Sequence, residues 1–347
     1  MISHSTIELF NTLLVPSPSG NEIQVADAIR NQLAKIGTSF ETDPAGNTIV
    51  MLPGRDPDAP LIIFAAHMDE IGMVVTQVND NGVLRVTRSG GLEPWKLGEG
   101  AVDVFGDNGT VQGVLSMGST HAKETRKKSI SWDDVFILTG INGVEIKSLG
   151  IRPGCSVLPT RDRRGPIVFG PPDNPLIGAW TFDDRMGCVV LLQLLKAIKD
   201  KAIQPKNPTI ISFTTQEEIG GVGAKYLVRS MNPEIFISVD GVPMPPGTDL
   251  HLDGRPGIWT KDRNGQYDPG MIRALMKSAV EAGTELQPAV FDGAASDASM
   301  ASYSRGIPRI ACLGHVRENS HGYEVARLSV FDNLIKTLLR FIETFKG

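Results

Sequence analysis

The chain has 347 residues, of which 41% are hydrophobic and 21% are charged, as in an ordinary globular protein with a sizeable core and about two domains. Its net charge of −5 argues against a nucleic-acid partner and against binding to an anionic membrane surface. No stretch approaches the ~20 apolar residues of a membrane span, and the N-terminal residues do not resemble a secretory signal.

The cysteine content argues against a disulfide framework and against a thiolate zinc site. The three cysteines are odd in number and widely spaced, and Cys188 and Cys312 lie in apolar runs where buried free thiols are expected. We therefore expect a cytoplasmic protein, kept in a reducing compartment.

The predicted elements begin with two helices, over about 4–14 and 21–35, followed by a strand at 47–52. The next run, 61–66, reads LIIFAA and is apolar without alternation. Such a pattern predicts a strand that is buried on both faces of a sheet.

The segment 71–170 differs in character from its surroundings. It is rich in glycine, in β-branched residues and in short polar turns, which predicts several short strands. We expect a small β-rich domain, inserted into a first domain that comprises 1–70 and 171–347. The polar, charged stretch 121–134 in its middle predicts a solvated loop.

Helices and buried strands alternate again after residue 175. The predicted helices cover about 184–199, 270–283 and 328–345, and the buried strands cover 208–215, 235–240 and 308–313. This alternation predicts an α/β fold in which a mixed, largely parallel sheet has helices on both faces.

Polar side chains of the metal-ligand type follow three of the buried strands. His67 and Asp69 come after the first, Glu217 and Glu218 after the second, and Asp240 after the third. Function in such sheets sits at the carboxyl ends of the strands, so we expect these residues to meet at one edge. Asp183, in a turn before the helix at 184–199, and His321, beyond the last strand, add two more candidates.

Each of these residues also has an ordinary structural interpretation. His67 could be a hydrogen-bonded histidine at a strand end, Glu217 and Glu218 a solvated helix start, and Asp183 an N-cap. Their coincidence carries the inference, because burying so many like charges together would be prohibitive without cations. A mixed imidazole and carboxylate set suits zinc, cobalt or manganese.

Two metal ions need a bridging ligand, and a carboxylate can hold one ion with each oxygen. Asp183 is the candidate bridge. In this interpretation His67 and Asp240 complete one ion, and Glu218 and His321 complete the other.

Two further residues are predicted to support catalysis. Asp69 lies two positions after His67, so at a strand end it could face the same side and orient the imidazole. Glu217 remains free beside the metals, where a carboxylate is the expected general base for an attacking water.

These residues resemble those of the tetrahedral (TET-type) metallo-aminopeptidases, which include glutamyl and lysyl aminopeptidases and some members labelled endoglucanase. The resemblance covers nearly the whole chain. It rests on the segments SPSGNE (17–22), DPAGNTI (43–49), AAHMDEIGMVV (65–75), LIGAWTFDDRMGC (176–188), TTQEEIGGVGA (214–224), SVDG (238–241) and SDA (296–298).

The resemblance implies a zinc-peptidase-type catalytic domain with an inserted β-barrel-like domain. It further implies two divalent metal ions per subunit, most often zinc or cobalt, short peptide substrates and a homo-oligomer, commonly a dodecamer. The ligand and base assignments that it implies agree with those above, and it adds a cis peptide bond after Asp183.

One departure from the family pattern concerns the last ligand. The segment 314–324 reads GHVRENSHGYE and contains both His315 and His321. His321 is favoured because it follows Arg317 and precedes Glu324 in the order that the pattern has, whereas His315 is expected at a strand end or in a pocket. His121, in the inserted domain, could reach the chamber or a neighbouring subunit's site, but an ordinary structural role is favoured.

Other functions remain open at this point. A carboxypeptidase or deacylase could use a similar metal site, although the β-rich insertion after Asp69 favours an aminopeptidase. A catalytically silent binding protein would have lost a ligand or the base, and none is lost here. A glycan hydrolase needs two carboxylates without a metal, which leaves the histidines without a role. The preference for a particular N-terminal residue stays open, with Asp292 a candidate to favour a basic one.

Overall fold

The computed structural model describes residues 2–119, 121 and 129–347. Within these ranges the helices are α1 (Ile2–Leu13), α2 (Ile23–Ile36), α3 (Pro94–Leu97), α4 (Gly143–Ser148), α5 (Phe182–Asp200), α6 (Val222–Met231), α7 (Pro269–Glu281), α8 (Asp297–Arg305) and α9 (Ser329–Thr344). The strands are β1 (Glu41–Thr42), β2 (Thr48–Leu52), β3 (Ile62–His67), β4 (Gly72–Val78), β5 (Leu84–Ser89), β6 (Gly100–Phe105), β7 (Thr110–Ser116), β8 (Phe136–Leu138), β9 (Ser156–Pro159), β10 (Ile167–Phe169), β11 (Leu176–Trp180), β12 (Thr209–Thr214), β13 (Ile235–Val239), β14 (Val242–Pro243), β15 (Gly257–Asp262), β16 (Gly265–Gln266), β17 (Gln287–Val290), β18 (Arg309–Gly314), β19 (Val316–Glu318) and β20 (Tyr323–Arg327).

A nine-stranded sheet forms the centre of the molecule, in the order β1-β2-β12-β3-β13-β18-β15-β16, with β17 beside β15. The four central strands, β12, β3, β13 and β18, run parallel, while β2 and β15 flank them in the antiparallel direction. All six residues of β3 are buried, as expected for a parallel strand that is covered on both faces.

Helices cover both faces of this sheet. Ile62, Phe64 and Ala66 of β3 belong to a hydrophobic core with residues of α1, α2, α5, α7 and α9. The alternate residues Ile63 and Ala65 pack with residues of α6 and α8 in a second core on the opposite face. The period of two along the strand therefore divides one apolar run between two cores.

The inserted segment closes into a barrel of six antiparallel strands, β4-β5-β8-β7-β6-β9, with its own hydrophobic core. The predicted fold class, a mixed and largely parallel α/β sheet with a small inserted barrel, is confirmed. Much of the loop predicted over 121–134 lies outside the described residues; of its described part, Trp132–Asp134 forms a 3₁₀ turn.

A second sheet of five strands, β10-β11-β20-β19-β14, was not predicted from the sequence. Its strands are short, and two of its pairings, β11 with β20 and β14 with β19, join segments far apart in the chain that no local pattern connects. This sheet matters for the site because β11 leads into Asp183 and the β19–β20 connection carries His321. None of the helices in the described ranges is both long and apolar enough to cross a bilayer.

Candidate metal centre

The predicted site residues lie along one edge of the central sheet. β3 ends at His67, β12 ends three residues before Glu217, and β13 ends just before Asp240. Since these strands are parallel neighbours, their carboxyl ends meet at the same edge. The structure brings together there His67, Asp69, Asp183, Glu217, Glu218, Asp240 and His321.

Asp183 occupies the centre of this group. Its Oδ1 lies 3.0 Å from Nε2 of His67, and its Oδ2 lies 3.4 Å from Nε2 of His321. Its backbone N–H donates to Oε2 of Glu324 at 3.0 Å, which fixes the start of α5. The peptide bond that joins Asp183 to Asp184 is cis, as the family resemblance implies. Each oxygen of one buried carboxylate thus faces a different imidazole.

Two sets of side chains have ligand atoms within 4.8 Å of one another. One set is His67, Asp183 and Glu218, and the other is His67, Asp184 and Asp240. Sequence reasoning did not select Asp184, whose Oδ1 accepts from the N–H of Gly187 at 3.0 Å and whose Oδ2 accepts from the N–H of His67 at 3.3 Å. Those bonds tie the carboxylate of Asp184 to the backbone beneath the site.

The charges of the site fit divalent cations. Burial, followed by repulsion from Asp183, raises the pKa of Asp240 to about 7, and burial raises the pKa of Glu218 to about 8. Oε1 of Glu218 is buried and has no hydrogen-bond partner in the described part of the chain. Cations would offset the cost of burying these carboxylates, and carboxylate and imidazole together are donors that zinc, cobalt and manganese accept.

Asp69 connects the imidazole of His67 to the two glutamates. Its Oδ1 lies 3.4 Å from Nδ1 of His67 and accepts from the N–H of Glu217 at 2.9 Å. Its Oδ2 accepts from the N–H of Glu218 at 3.2 Å and from the hydroxyl of Ser19 at 2.7 Å. Burial opposes ionisation, but the bonds from His67 and the other donors hold the pKa of Asp69 below its usual value.

Arg317 is a site residue to which sequence reasoning assigned no role. Its Nη2 lies 2.5 Å from Oδ2 of Asp183, and its Nε lies 3.1 Å from Oε1 of Glu324. Burial opposes the ionisation of Asp183, yet Arg317 and the two imidazoles hold the pKa of that carboxyl well below its usual range. The position of Arg317 four residues before His321 was the signal that the sequence offered.

The two histidines of the segment 314–324 lie in different surroundings. His321 has its Nε2 3.9 Å from Oε2 of Glu218, and its Nδ1 lies 3.0 Å from the carbonyl oxygen of Gly91. His315 packs against the rings of Phe182 and Phe331, and neither of its ring nitrogens has a hydrogen-bond partner among the described residues. Burial lowers the pKa of His315 to about 3.

A cleft of about 250 Å³ opens beside the cluster. The cleft is lined by the polar groups Asp183, Glu217, Glu218, Asp240, Arg317 and His321, and also by Trp259, Arg263, Ala294, Ala295 and Met300. Glu217 is buried behind this opening, and its Oε2 lies 3.9 Å from Nε2 of His67.

The exposed His121 has its Nδ1 3.2 Å from the hydroxyl of Ser119.

Known proteins share both the sequence pattern and the fold. A family model described as M42 glutamyl aminopeptidase matches residues 46–337. The chain belongs to this family. A glutamyl aminopeptidase of Lactococcus lactis is 29% identical over 342 residues, which covers 95% of this chain and 93% of the relative. A lysyl aminopeptidase of Pyrococcus furiosus is 28% identical over 232 residues, which covers 65% of this chain and 63% of the relative.

A solved structure agrees with this membership. The TET1 peptidase of Pyrococcus horikoshii, described as assembling into a tetrahedron or a large octahedral shell, superposes with a TM-score of 0.85 at 27% identity, covering 97% of this chain and 99% of that one. The predicted resemblance to TET-type aminopeptidases is confirmed, and this M42 chain is a peptidase.

Proposed function

We propose that this M42 chain is a metal-dependent aminopeptidase that hydrolyses the N-terminal peptide bond of oligopeptides, with two divalent ions and Glu217 as the general base. The observation that carries the proposal is the position of Asp183, whose two oxygens face His67 at 3.0 Å and His321 at 3.4 Å. A carboxylate between two separate imidazoles has the arrangement that a bridging ligand requires.

In this proposal the ligands divide between two ions. His67, Asp240 and one oxygen of Asp183 would hold the first, and Glu218, His321 and the other oxygen of Asp183 would hold the second. When bound, such ions polarise a scissile carbonyl and lower the pKa of water. Asp69 would keep the ring of His67 oriented through Nδ1, because its carboxylate and its carbonyl oxygen lie 3.4 Å and 3.1 Å from that nitrogen.

Glu217 is placed to move the proton of the attacking water. It lines the cleft, and its backbone N–H donates to Oδ1 of Asp69 at 2.9 Å. This hydrogen bond fixes the backbone from which the side chain of Glu217 extends. Burial and the neighbouring carboxylates of Glu218 and Asp240 raise the pKa of Glu217 well above its usual value, despite the opposing effect of His67. A carboxylate with a raised pKa is a stronger base, and it can pass the proton on to the leaving amine.

Hydrolysis of aminoacyl-p-nitroanilides tests this function. The panel would include free and N-acetylated substrates, each assayed before and after chelation and after add-back of Co²⁺ or Zn²⁺. We expect chelator-sensitive release from free-amine substrates alone. Release from acetylated substrates would instead indicate a deacylase or a related hydrolase, and activity that survives complete metal removal would contradict the metal-dependent mechanism.

We also propose a preference for an acidic N-terminal residue. The M42 relatives include both glutamyl and lysyl aminopeptidases, so membership alone leaves this open. Arg263 lines the cleft, is exposed, and makes no ion pair within the described residues. Trp259 and Met300 also line the cleft and would contact an aliphatic stem. Asp292, considered from sequence as a basic-residue selector, lies 2.5 Å from Nζ of Lys261.

The variant Arg263→Glu tests the preference directly. A charge-assisted hydrogen bond contributes about 1.5–3 kcal/mol, so kcat/KM for the glutamyl substrate should fall roughly 10- to 100-fold while that for the lysyl substrate rises. The leucyl substrate is the internal control and should change little. An unchanged ratio of glutamyl to lysyl hydrolysis would remove Arg263 from the specificity site.

The quaternary structure is likewise proposed from the relatives. We propose a homo-oligomer, with the dodecamer as the expected size, since a structural neighbour of 26% identity is described as a dodecamer. The exposed apolar residues of the edge strand β10, Ile167–Phe169, suit burial between subunits.

We place the domain boundaries near residues 71 and 170, because the barrel strands run from Gly72 to Pro159. The three buried, unpaired cysteines suit the cytoplasm.

A further inference from the structure

The segment 215–218, which carries Glu217, lies between the end of β12 at Thr214 and the start of α6 at Val222. Its four consecutive backbone N–H groups donate to side chains rather than to a strand or helix. Buried N–H groups require acceptors, so the identity of these acceptors decides where the segment sits. We call residues 215–218 the base loop.

Three side chains from separate parts of the chain accept these four hydrogen bonds. Oδ1 of Asn47 accepts from Thr215 at 3.1 Å, Oε1 of Glu22 accepts from Gln216 at 3.2 Å, and the two oxygens of Asp69 accept from Glu217 and Glu218. Asp69 also faces His67, Asn47 also bonds to Asp43 and to the carbonyl oxygen of Gly223, and Glu22 also accepts from the N–H of Gly20.

We infer that Glu22 is a positioning residue for the general base, acting on Glu217 through the backbone of Gln216. This inference rests on the proposed function, because the role of Glu217 as the base is itself part of that proposal. Glu22 holds the backbone directly before the base and does not itself face the cleft.

The backbone of Gln216 explains why an acceptor is needed at this position. Gln216 has a φ of +54°, in the left-handed region that side chains other than glycine adopt at a cost. Its N–H is held by Glu22, and its carbonyl oxygen accepts from the N–H groups of Gly221 at 2.8 Å and Val222 at 3.3 Å. Rotation at Gln216 would change the direction in which the next side chain, that of Glu217, leaves the backbone.

The surroundings of Glu22 fix its carboxylate. The residue is only 7% exposed, and the same Oε1 accepts from the N–H of Gly20 at 2.8 Å within the turn 17–22. Glu22 also precedes α2, whose N-terminus favours a negative charge. The turn 17–22 is one of the segments by which the chain resembles its family. The hydrogen bond from Gln216 to Glu22 connects this turn to the base loop.

Three variants separate the reach of the side chain from its charge. Glu22→Asp keeps the charge at the start of α2 but shortens the side chain by one methylene, roughly 1.5 Å, which removes the acceptor from Gln216. Glu22→Gln keeps the length and one carbonyl oxygen but loses the charge. The matched control is Asp27→Asn, which removes an exposed carboxylate from α2, the helix that Glu22 precedes; its partner there is Arg30.

Steady-state kinetics with the best substrate is the first measurement. We expect Glu22→Asp to lower kcat by about 10- to 100-fold with little change in KM, because a displaced base weakens the transition state and not the ground state. Glu22→Gln should stay within roughly threefold of the wild type, since an acceptor remains. Metal content should be unchanged in all three variants.

Hydrogen exchange of the peptide 214–221 gives a readout that does not depend on turnover. In the metal-free protein, Glu22→Asp should speed exchange of the base-loop amides, while Glu22→Gln and Asp27→Asn should match the wild type.

Wild-type kcat and wild-type exchange in Glu22→Asp would overturn the inference. Equal loss of kcat in the Asp and Gln variants would also overturn it, because charge rather than position would then matter. If wild-type enzyme hydrolyses no free-amine substrate, the proposed function has failed, whereas an active wild type with an unimpaired Glu22→Asp variant refutes the inference alone.

Discussion

Glu70 lies at the centre of a buried ion cluster directly behind the metal-binding edge. Its Oε1 accepts from the N–H of Ser17 and from Nη1 of Arg164, both at 2.9 Å, and it lies 3.4 Å from Nη2 of Arg185. Its Oε2 accepts from Nε1 of Trp180 at 3.1 Å. Glu70 and both arginines are at most 1% exposed, so one carboxylate balances two guanidinium groups in the interior.

The variant Glu70→Gln would leave these two buried charges without their counter-ion. Removing one partner of a buried pair costs about 3–5 kcal/mol in the free energy of unfolding. For 347 residues the unfolding entropy is about 0.7 kcal/mol/K, so the unfolding midpoint should fall by about 4–7 °C. Differential scanning calorimetry at fixed protein concentration would measure this shift.

A matched control makes this prediction specific. Glu93→Gln removes the same charge from an exposed pair with Arg88, where the expected loss is at most about 1 kcal/mol, or about 1–2 °C. If Glu70→Gln lowers the midpoint no more than Glu93→Gln does, then Glu70 does not neutralise the two arginines in the way that the geometry implies.

Three further outcomes follow from the site. Glu217→Gln should retain both metal ions but lower kcat by about 10²-fold or more; metal loss, measured by elemental analysis, would mean that Glu217 and Glu218 have exchanged roles. Asp183→Asn should weaken both metal sites together, and loss of a single ion per subunit would rule out a bridge. His315 has a pKa of about 3 in the folded chain against 6.5 when unfolded, so the unfolded state binds the proton first as the pH falls from 6.5 towards 3. As the pH falls through that window, the free energy of unfolding of the wild type should therefore drop by about 1.4 kcal/mol more per pH unit than that of His315→Leu, as measured by denaturant titration. Parallel pH profiles of the two proteins would contradict the burial of a neutral ring.

Much of the fold could be predicted because it is encoded in local patterns. The apolar run 61–66 and the helical period of 184–199 reflect burial that each element experiences along its own length. The second sheet could not be predicted, because strands such as β14 and β19 contain two or three residues and pair with partners far away in the chain.

The candidate ligands could likewise be named from sequence, because strand ends at one edge of a parallel sheet converge whatever the details of packing. The choice between His315 and His321 could not be derived in this way, since it depends on how β19 and β20 turn toward Asp183. The tertiary structure puts His321 beside that carboxylate and His315 among aromatic rings.

Residue types and their spacing were therefore sufficient to indicate a sheet edge rich in metal ligands and a family of peptidases. The contacts that orient those ligands were not, because they join residues that are distant in the chain. Arg317 reaches Asp183 across 134 positions, and Glu22 reaches Gln216 across 194. Each pair is formed by the packing of whole elements, and periodicity carries no information about which side chains such packing brings within hydrogen-bond distance.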